Sequence, residues 1–192
     1  CVDRERRRNL VHNYSYEPLY QFYQGSKEKT RKRLAFFGVE IEYASTLPLD
    51  GENMDNLESL LEDNPHIYGK SDSSIQSDTD EGGVEFVSHP MTLRYIMETN
   101  ALGYVDDLRG MEWYNDDSCG MHIHVNREAF TTWHLYKLLR LIYENTQLMY
   151  RMSNRSVRRA KEWANPFVNY DRNNIKSFAK SQRRNDQREE ML

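Results

Sequence analysis

The sequence predicts an α+β fold, a sheet with helices packed on one face. Three observations predict it. Short runs rich in β-branched and aromatic residues recur at Leu34–Ala44, Ile67–Ser71, Val84–Ser88 and Cys119–Asn126. Longer stretches between them repeat apolar residues at helical spacing. The composition, 38% hydrophobic and 29% charged over 192 residues, suits a domain with a real hydrophobic core and polar extensions.

Taken in order, residues 1–33 read as an irregular arm. Tyr14, Tyr16, Tyr20, Phe22 and Tyr23 stand among polar residues and Pro18, spaced to pack the arm onto the main domain. Leu34–Ala44 is a strand that alternates from Val39 onward. Asp50-Gly51 marks a turn into a helix over Glu52–Glu62, with Met54, Leu57, Leu60 and Leu61 on one side. Ile67–Ser71 is a short strand, and Ser73–Gly83 a polar, acidic loop. Val84–Ser88 is a strand stopped by Pro90. Thr92 caps a helix running to about Gly110, with Leu93, Ile96, Met97, Leu102, Val105 and Leu108 on its buried side; Gly103 weakens its middle. Cys119–Asn126 is a strand with Ile123 and Val125 toward the core. Thr131 or Thr132 caps a long helix to about Met152. The Arg-rich remainder has Trp163, Phe167, Tyr170 and Phe178 for packing. The domain boundary is expected at 33/34, with the main domain over 34–192.

Charge is segregated along the chain. Residues 1–33 carry +5, residues 34–128 carry −16 and residues 129–192 carry +7, within a net −4. An acidic middle points to bound cations, and basic flanks to an anion such as phosphate; solvated faces are the other reading of both. Two cysteines give no disulfide framework, which fits a reducing, cytoplasmic setting. No apolar run is long enough for a membrane-spanning helix. The N-terminal residues lack the apolar core of a signal peptide. Starting at Cys1 and stopping in a charged, helix-like stretch, the sequence reads as a fragment.

Three strands carry the chemistry. Glu40 and Glu42 lie at i and i+2 in the first, so both face one side, roughly 7 Å apart along the chain. A hard cation such as Mg2+ or Mn2+ would relieve their repulsion; a solvent-facing strand is the alternative. His122 and His124 repeat the device, as metal or nucleotide ligands or as satisfied structural histidines. Glu85 sits among Val84, Phe86 and Val87, where a carboxylate is costly unless paired or metal-bound. As neighbours in one sheet, the five would form a cation site for more than one ion, suited to phosphoryl transfer. Arg151, Arg155, Arg158 and Arg159 are candidates for phosphate contact, each with a solvated helix face as its plainer reading.

Four motifs then agree in order and spacing with one family. Gly38-Val39-Glu40-Ile41-Glu42 resembles the G-x-E-x-E strand of amidoligases, and Lys70-Ser71-Asp72-Ser73-Ser74 their K-x-D-x-S element. Gly83-Val84-Glu85-Phe86-Val87-Ser88-His89-Pro90 is similar to their G-x-E-[LIF]-V-S-x-P, and Cys119-Gly120-Met121-His122-Ile123-His124-Val125 to C-G-x-H-[VI]-H-V. The last also resembles a strand of glutamine synthetase. The resemblance spans about residues 34–155. It implies a glutamine synthetase-like antiparallel sheet whose concave face holds ATP and Mg2+ or Mn2+. It implies Glu40, Glu42, Glu85 and His122 as metal ligands and catalytic groups. His124 would lie near the ATP phosphates, Lys70 and Asp72 in the nucleotide or substrate pocket, and Arg155 at the phosphates. The implied reaction joins a carboxylate to an amine through an acyl phosphate, with peptide, peptidoglycan-like and protein side-chain substrates all open. His12–Pro18 is similar to the lead-in of phage-associated members, which can carry an upstream zinc module; Cys1 would be its last ligand. The competing classes are a metal-dependent hydrolase or nuclease on the same Glu/His face, and an inactive module whose basic arms bind nucleic acid.

Overall fold

The alternation that begins at Val39 sets the centre of the sheet. In a computed structural model of the chain, the strands are β1 (Val11–His12), β2 (Phe36–Ser45), β3 (Ile67–Lys70), β4 (Gly83–Ser88), β5 (Met91–Thr92), β6 (Trp113–Tyr114) and β7 (Met121–Val125). The helices are α1 (Gly51–Asp63), α2 (Leu93–Thr99), α3 (Tyr104–Gly110), α4 (Thr132–Glu144), α5 (Thr146–Ser153) and α6 (Arg172–Glu189). The structure describes residues 9–13, 15–19, 34–45, 50–75, 83–111, 113–116, 118–153, 158, 161 and 172–189. The expectations for Cys1, Tyr14, Tyr20, Phe22, Tyr23, the acidic loop 77–82, Arg155, Arg159, Trp163, Phe167 and Tyr170 lie outside these. The chain divides into two compact units, residues 1–129 and 130–192.

In the first unit the order β1-β3-β4-β2 forms one half of the sheet. Glu40 pairs with Val87 of β4 and with His122 of β7, so β7 lies on the other flank of β2. β6 pairs with the end of β2, and β5 with its start. All pairs are antiparallel except β1 with β3. The sheet is thus mixed, where the family resemblance implies an antiparallel one. A parallel partner needs a long connection, and the stretch between His12 and Ile67 supplies it. The α+β class holds.

One face of the sheet is apolar and carries the core. Tyr43, Ile67, Val84, Phe86 and Trp113 meet Met54, Leu57 and Leu60 of α1 and Tyr104 and Leu108 of α3. Phe86, fully buried, packs edge-on against Tyr43 and Trp113. Gly83 has a steric reason: a Cβ there would fall 2.5 Å from the side chain of Ile75.

Three expectations are corrected. The helix expected from Thr92 to Gly110 is two helices, because Asn100 takes a left-handed conformation (φ 51°) that ends α2. The break re-aims α2, so Leu93 and Met97 are exposed rather than buried, while Leu108 of α3 reaches the core. The cap at Thr92 is present, its side chain accepting from the Tyr95 N–H. Ile123 is 62% exposed instead of facing the core, because within the first unit α1 and α3 pack over β3, β4 and the end of β2 and, among the described residues of that unit, do not reach β7. The long helix expected to Met152 is likewise interrupted, with α4 capped by Thr131 and ending at Asn145, whose side chain donates back to the Leu141 carbonyl.

In the second unit α4 packs against α6, whose buried residues Ile175 and Ala179 sit one turn apart. Arg140 closes a bidentate pair with Glu144 on α4. No helix among the described residues is long and apolar enough to cross a membrane.

Candidate active site

The opposite face of the sheet is polar, and its register assembles the predicted residues. One row across the strands reads Tyr68, Val87, Glu40, His122. The next reads Lys70, Glu85, Glu42. Gly38, two residues before Glu40, pairs with His124. Period-2 alternation therefore delivers five side chains from three strands to one patch. Glu40, Glu42 and Glu85 enter it from central strands. His122 and His124 enter it from β7.

Two overlapping groups of donors result. Glu40, His122 and His124 have ligand atoms within 4.8 Å of one another, and so do Glu42, Glu85 and His122. His122 Nδ1 lies 3.3 Å and His124 Nε2 3.0 Å from the same oxygen of Glu40. Burial pushes the Glu40 carboxyl upward, but the hydrogen bond and charge of His124, with Lys70 and His122, outweigh it and hold the group below its usual value. Glu85 goes the other way. It is 4% exposed; burial first, then the charge of Glu40, raise it against the opposing pull of Lys70. Lys70 Nζ stands 3.4 Å from Glu85 Oε2, an ion pair too long to satisfy that buried oxygen with a well-formed hydrogen bond. A buried, incompletely satisfied carboxylate beside two others is the donor chemistry a divalent cation suits, and the mixed oxygen and imidazole set fits Mg2+ or Mn2+.

Asp72 lies just past β3. It accepts from the Ser74 N–H in a local turn, and its charge is felt at Glu85. It joins neither donor group. Cys119 is half-buried next to Ser118, and burial raises its thiol, so it is a neutral neighbour of the site.

The structure also supplies residues that the motifs did not mark. Asn115 donates to the Glu42 carbonyl at 2.6 Å, and Asn126 accepts from the Phe36 N–H while donating to the Leu34 carbonyl. These side chains hold β2 in place from its two ends. From the arm, Tyr16 stacks on His12 at 3.9 Å and tilts against Tyr68 at 4.6 Å, as its aromatic character predicted. The Leu19 N–H donates to His89 Nδ1 at 2.9 Å. His89 must be neutral to accept, and burial, reinforced by His66 and His12, lowers it to about 4.

A family model described as "Putative amidoligase enzyme" matches residues 56–192, nearly three quarters of the chain. The chain belongs to the amidoligase family. The match covers the strands bearing Glu85, His122 and His124, while Glu40 and Glu42 of this amidoligase lie upstream of it. Neither a curated protein nor a solved structure matches the chain. The family description makes the protein a ligase-type enzyme; the Glu/His patch is where this fold gathers groups able to bind a metal.

Proposed function

We propose that this amidoligase is an ATP- and Mg2+-dependent carboxylate–amine ligase with a glutamine synthetase-like catalytic sheet. The observation that carries the reading is the pair of overlapping donor groups on one polar sheet face, Glu40/His122/His124 and Glu42/Glu85/His122. Such a face opposes three carboxylates at close range and gains from divalent cations.

In this reading Glu40, Glu42, Glu85 and His122 hold the cations. When bound, the ions neutralise phosphate oxygens and fix the terminal phosphoryl group of ATP. His124, partly exposed beside Glu40, faces the phosphates. Lys70 balances the buried charge of Glu85 and lies on the approach of an anionic substrate. Asp72, just past β3, belongs to the nucleotide or substrate side of the site, while Arg155, which the resemblance puts at phosphate, lies outside the described residues. The substrate carboxylate attacks the terminal phosphorus and ADP departs. An amine then attacks the acyl phosphate carbonyl, expelling phosphate and leaving the amide. Alignment and charge neutralisation supply the catalysis, and no side chain is required as a covalent nucleophile.

The test is calorimetric titration with a non-hydrolysable ATP analogue, with and without Mg2+, against the wild type and Glu40→Ala. Binding is expected only with Mg2+, weakened at least about tenfold by the substitution. Mg2+-independent binding, or none, overturns the reading. Metal-dependent cleavage of an ester or phosphodiester without ATP would put the hydrolase in its place.

A further inference from the structure

A cavity of about 330 Å3 opens on the polar face within the first unit. Glu40 and His124 are among its lining residues, so it adjoins the first donor group. Tyr16 and Pro18 of the arm, with Tyr68 and Pro90, line it as well. It is therefore a partly aromatic chamber that adjoins the candidate metal ligands, with Lys70 also in its lining.

Gly38 is the most informative lining residue. It sits inside the central strand, where glycine has neither a side chain to pack nor the entropy of a better strand former. Its φ is not positive, so backbone conformation does not demand glycine. Packing does not demand it either. A Cβ there would meet His124 Cβ at 3.7 Å and the Ser88 carbonyl at 3.9 Å, ordinary contacts. What a longer side chain at 38 would do is project from the face of Glu40 into the cavity. Gly38 keeps that space open.

The walls say what the space suits. Tyr16 is fixed by its stack on His12 and its tilt on Tyr68. Burial and the charge of Glu40 push the Tyr68 phenol up to about 12, so it stays neutral. Tilted tyrosine rings and prolines favour a flat apolar group. Lys70, besides its contact with Glu85, offers a cation to a carboxylate. The volume is at the small end for ligand sites, which suits one ring with a short acid chain rather than an extended peptide. Position excludes the nucleotide base. Ribose and two phosphates separate the base from the terminal phosphate, whereas this cavity touches Glu40 and His124 directly. The group that must meet the terminal phosphate there is the reacting carboxylate.

We propose that the cavity receives the carboxylate substrate of the ligation, and that this substrate is a small carboxylic acid bearing an aromatic ring. The proposal rests on the ligase reading and narrows it. Tyr16 and Gly38 set specificity, and the arm is thereby part of the substrate site.

The experiment is calorimetric or ligand-observed NMR titration of the whole chain with 3-phenylpropionate and with acetate. It is run with Mg2+ and the ATP analogue, and again without both. The expected result is selective binding of 3-phenylpropionate, weakened roughly tenfold by Tyr16→Ala and abolished by Gly38→Leu at an unchanged melting temperature. Equal affinity for the two acids in both conditions overturns the proposal, as does full affinity in Tyr16→Ala. Since Tyr16 is half-buried and outside the apolar core cluster, that variant decides even if Gly38→Leu fails to fold. Normal binding of Mg2+ and the analogue without aryl preference sinks the cavity assignment alone. Aryl binding without any binding of Mg2+ and the analogue sinks the ligase reading and, with it, the substrate role.

Discussion

Glu85 sits opposite Glu42 across the β2–β4 pair and beside Lys70, almost wholly buried. Its carboxyl is raised, by burial first, so its folded value lies above its unfolded one. Such a group contributes stability below its unfolded value and loses it as pH rises through the folded one. At neutral pH the metal-free protein therefore carries a penalty at this position. Glu85→Gln removes it. We expect the metal-free variant to melt no lower than the wild type, and up to about 3 °C higher for each kcal/mol gained. Adding Mg2+ should raise the wild-type midpoint, and raise the variant's by less, because Glu40, His122 and His124 remain as a donor group. Thermal melts with and without MgCl2 check this. His89 shows the opposite sign. Its value is depressed from 6.5 to about 4. The stability it contributes is present above pH 6.5 and is lost as pH falls toward 4, by at most about 3 kcal/mol. Because neutral His89 accepts the Leu19 N–H, the amide protection factor of Leu19, corrected for the intrinsic pH dependence of exchange, should fall across that window. Unchanged protection at pH 4.5 would contradict the tie.

Individual elements carry their own predictions. Asn100 ends α2 at positive φ, the conformation that a branched side chain resists most. Asn100→Gly should be neutral within about 0.5 kcal/mol, while Asn100→Val should cost about 1–2 kcal/mol, read from urea midpoints. In β4, Phe86 is fully buried between Tyr43, Tyr104 and Trp113, and Phe86→Ala should cost roughly 3–5 kcal/mol. Much of this was legible beforehand. Alternation from Val39, the apolar positions of α1 and the Thr92 cap all follow from local pattern. The helix breaks at Asn100 and Asn145 were not, because polar residues inside a periodic run do not reveal where the chain turns. The short strands β1, β5 and β6 have no periodicity to read; they exist only because β2 and β3 offer them backbone partners.

For the whole molecule, β2 is the organising strand, bonded to β4, β5, β6 and β7. The family match begins at residue 56, after β2 has ended. A chain lacking residues 1–45 should therefore fail to fold cooperatively even though it keeps the matched stretch. Circular dichroism melts would show a broad, non-cooperative transition. A sharp one would mean that β3, β4 and β7 can close a sheet without it.

The sequence by itself determined the residue types at the site, their side of each strand and the family they resemble, because alternation and motif spacing are local properties. It placed Glu40 with Glu42, and His122 with His124, by period alone. Only tertiary pairing decided that His122 stands opposite Glu40, that Glu85 stands opposite Glu42, and that Tyr16 of the arm reaches Tyr68. Register across strands is set by which hydrophobic faces must be buried together, and that depends on helices far away in the chain. The same dependence left Ile123 exposed: whether an apolar position on a strand is covered is settled by where the helices lie, which one strand's sequence does not encode.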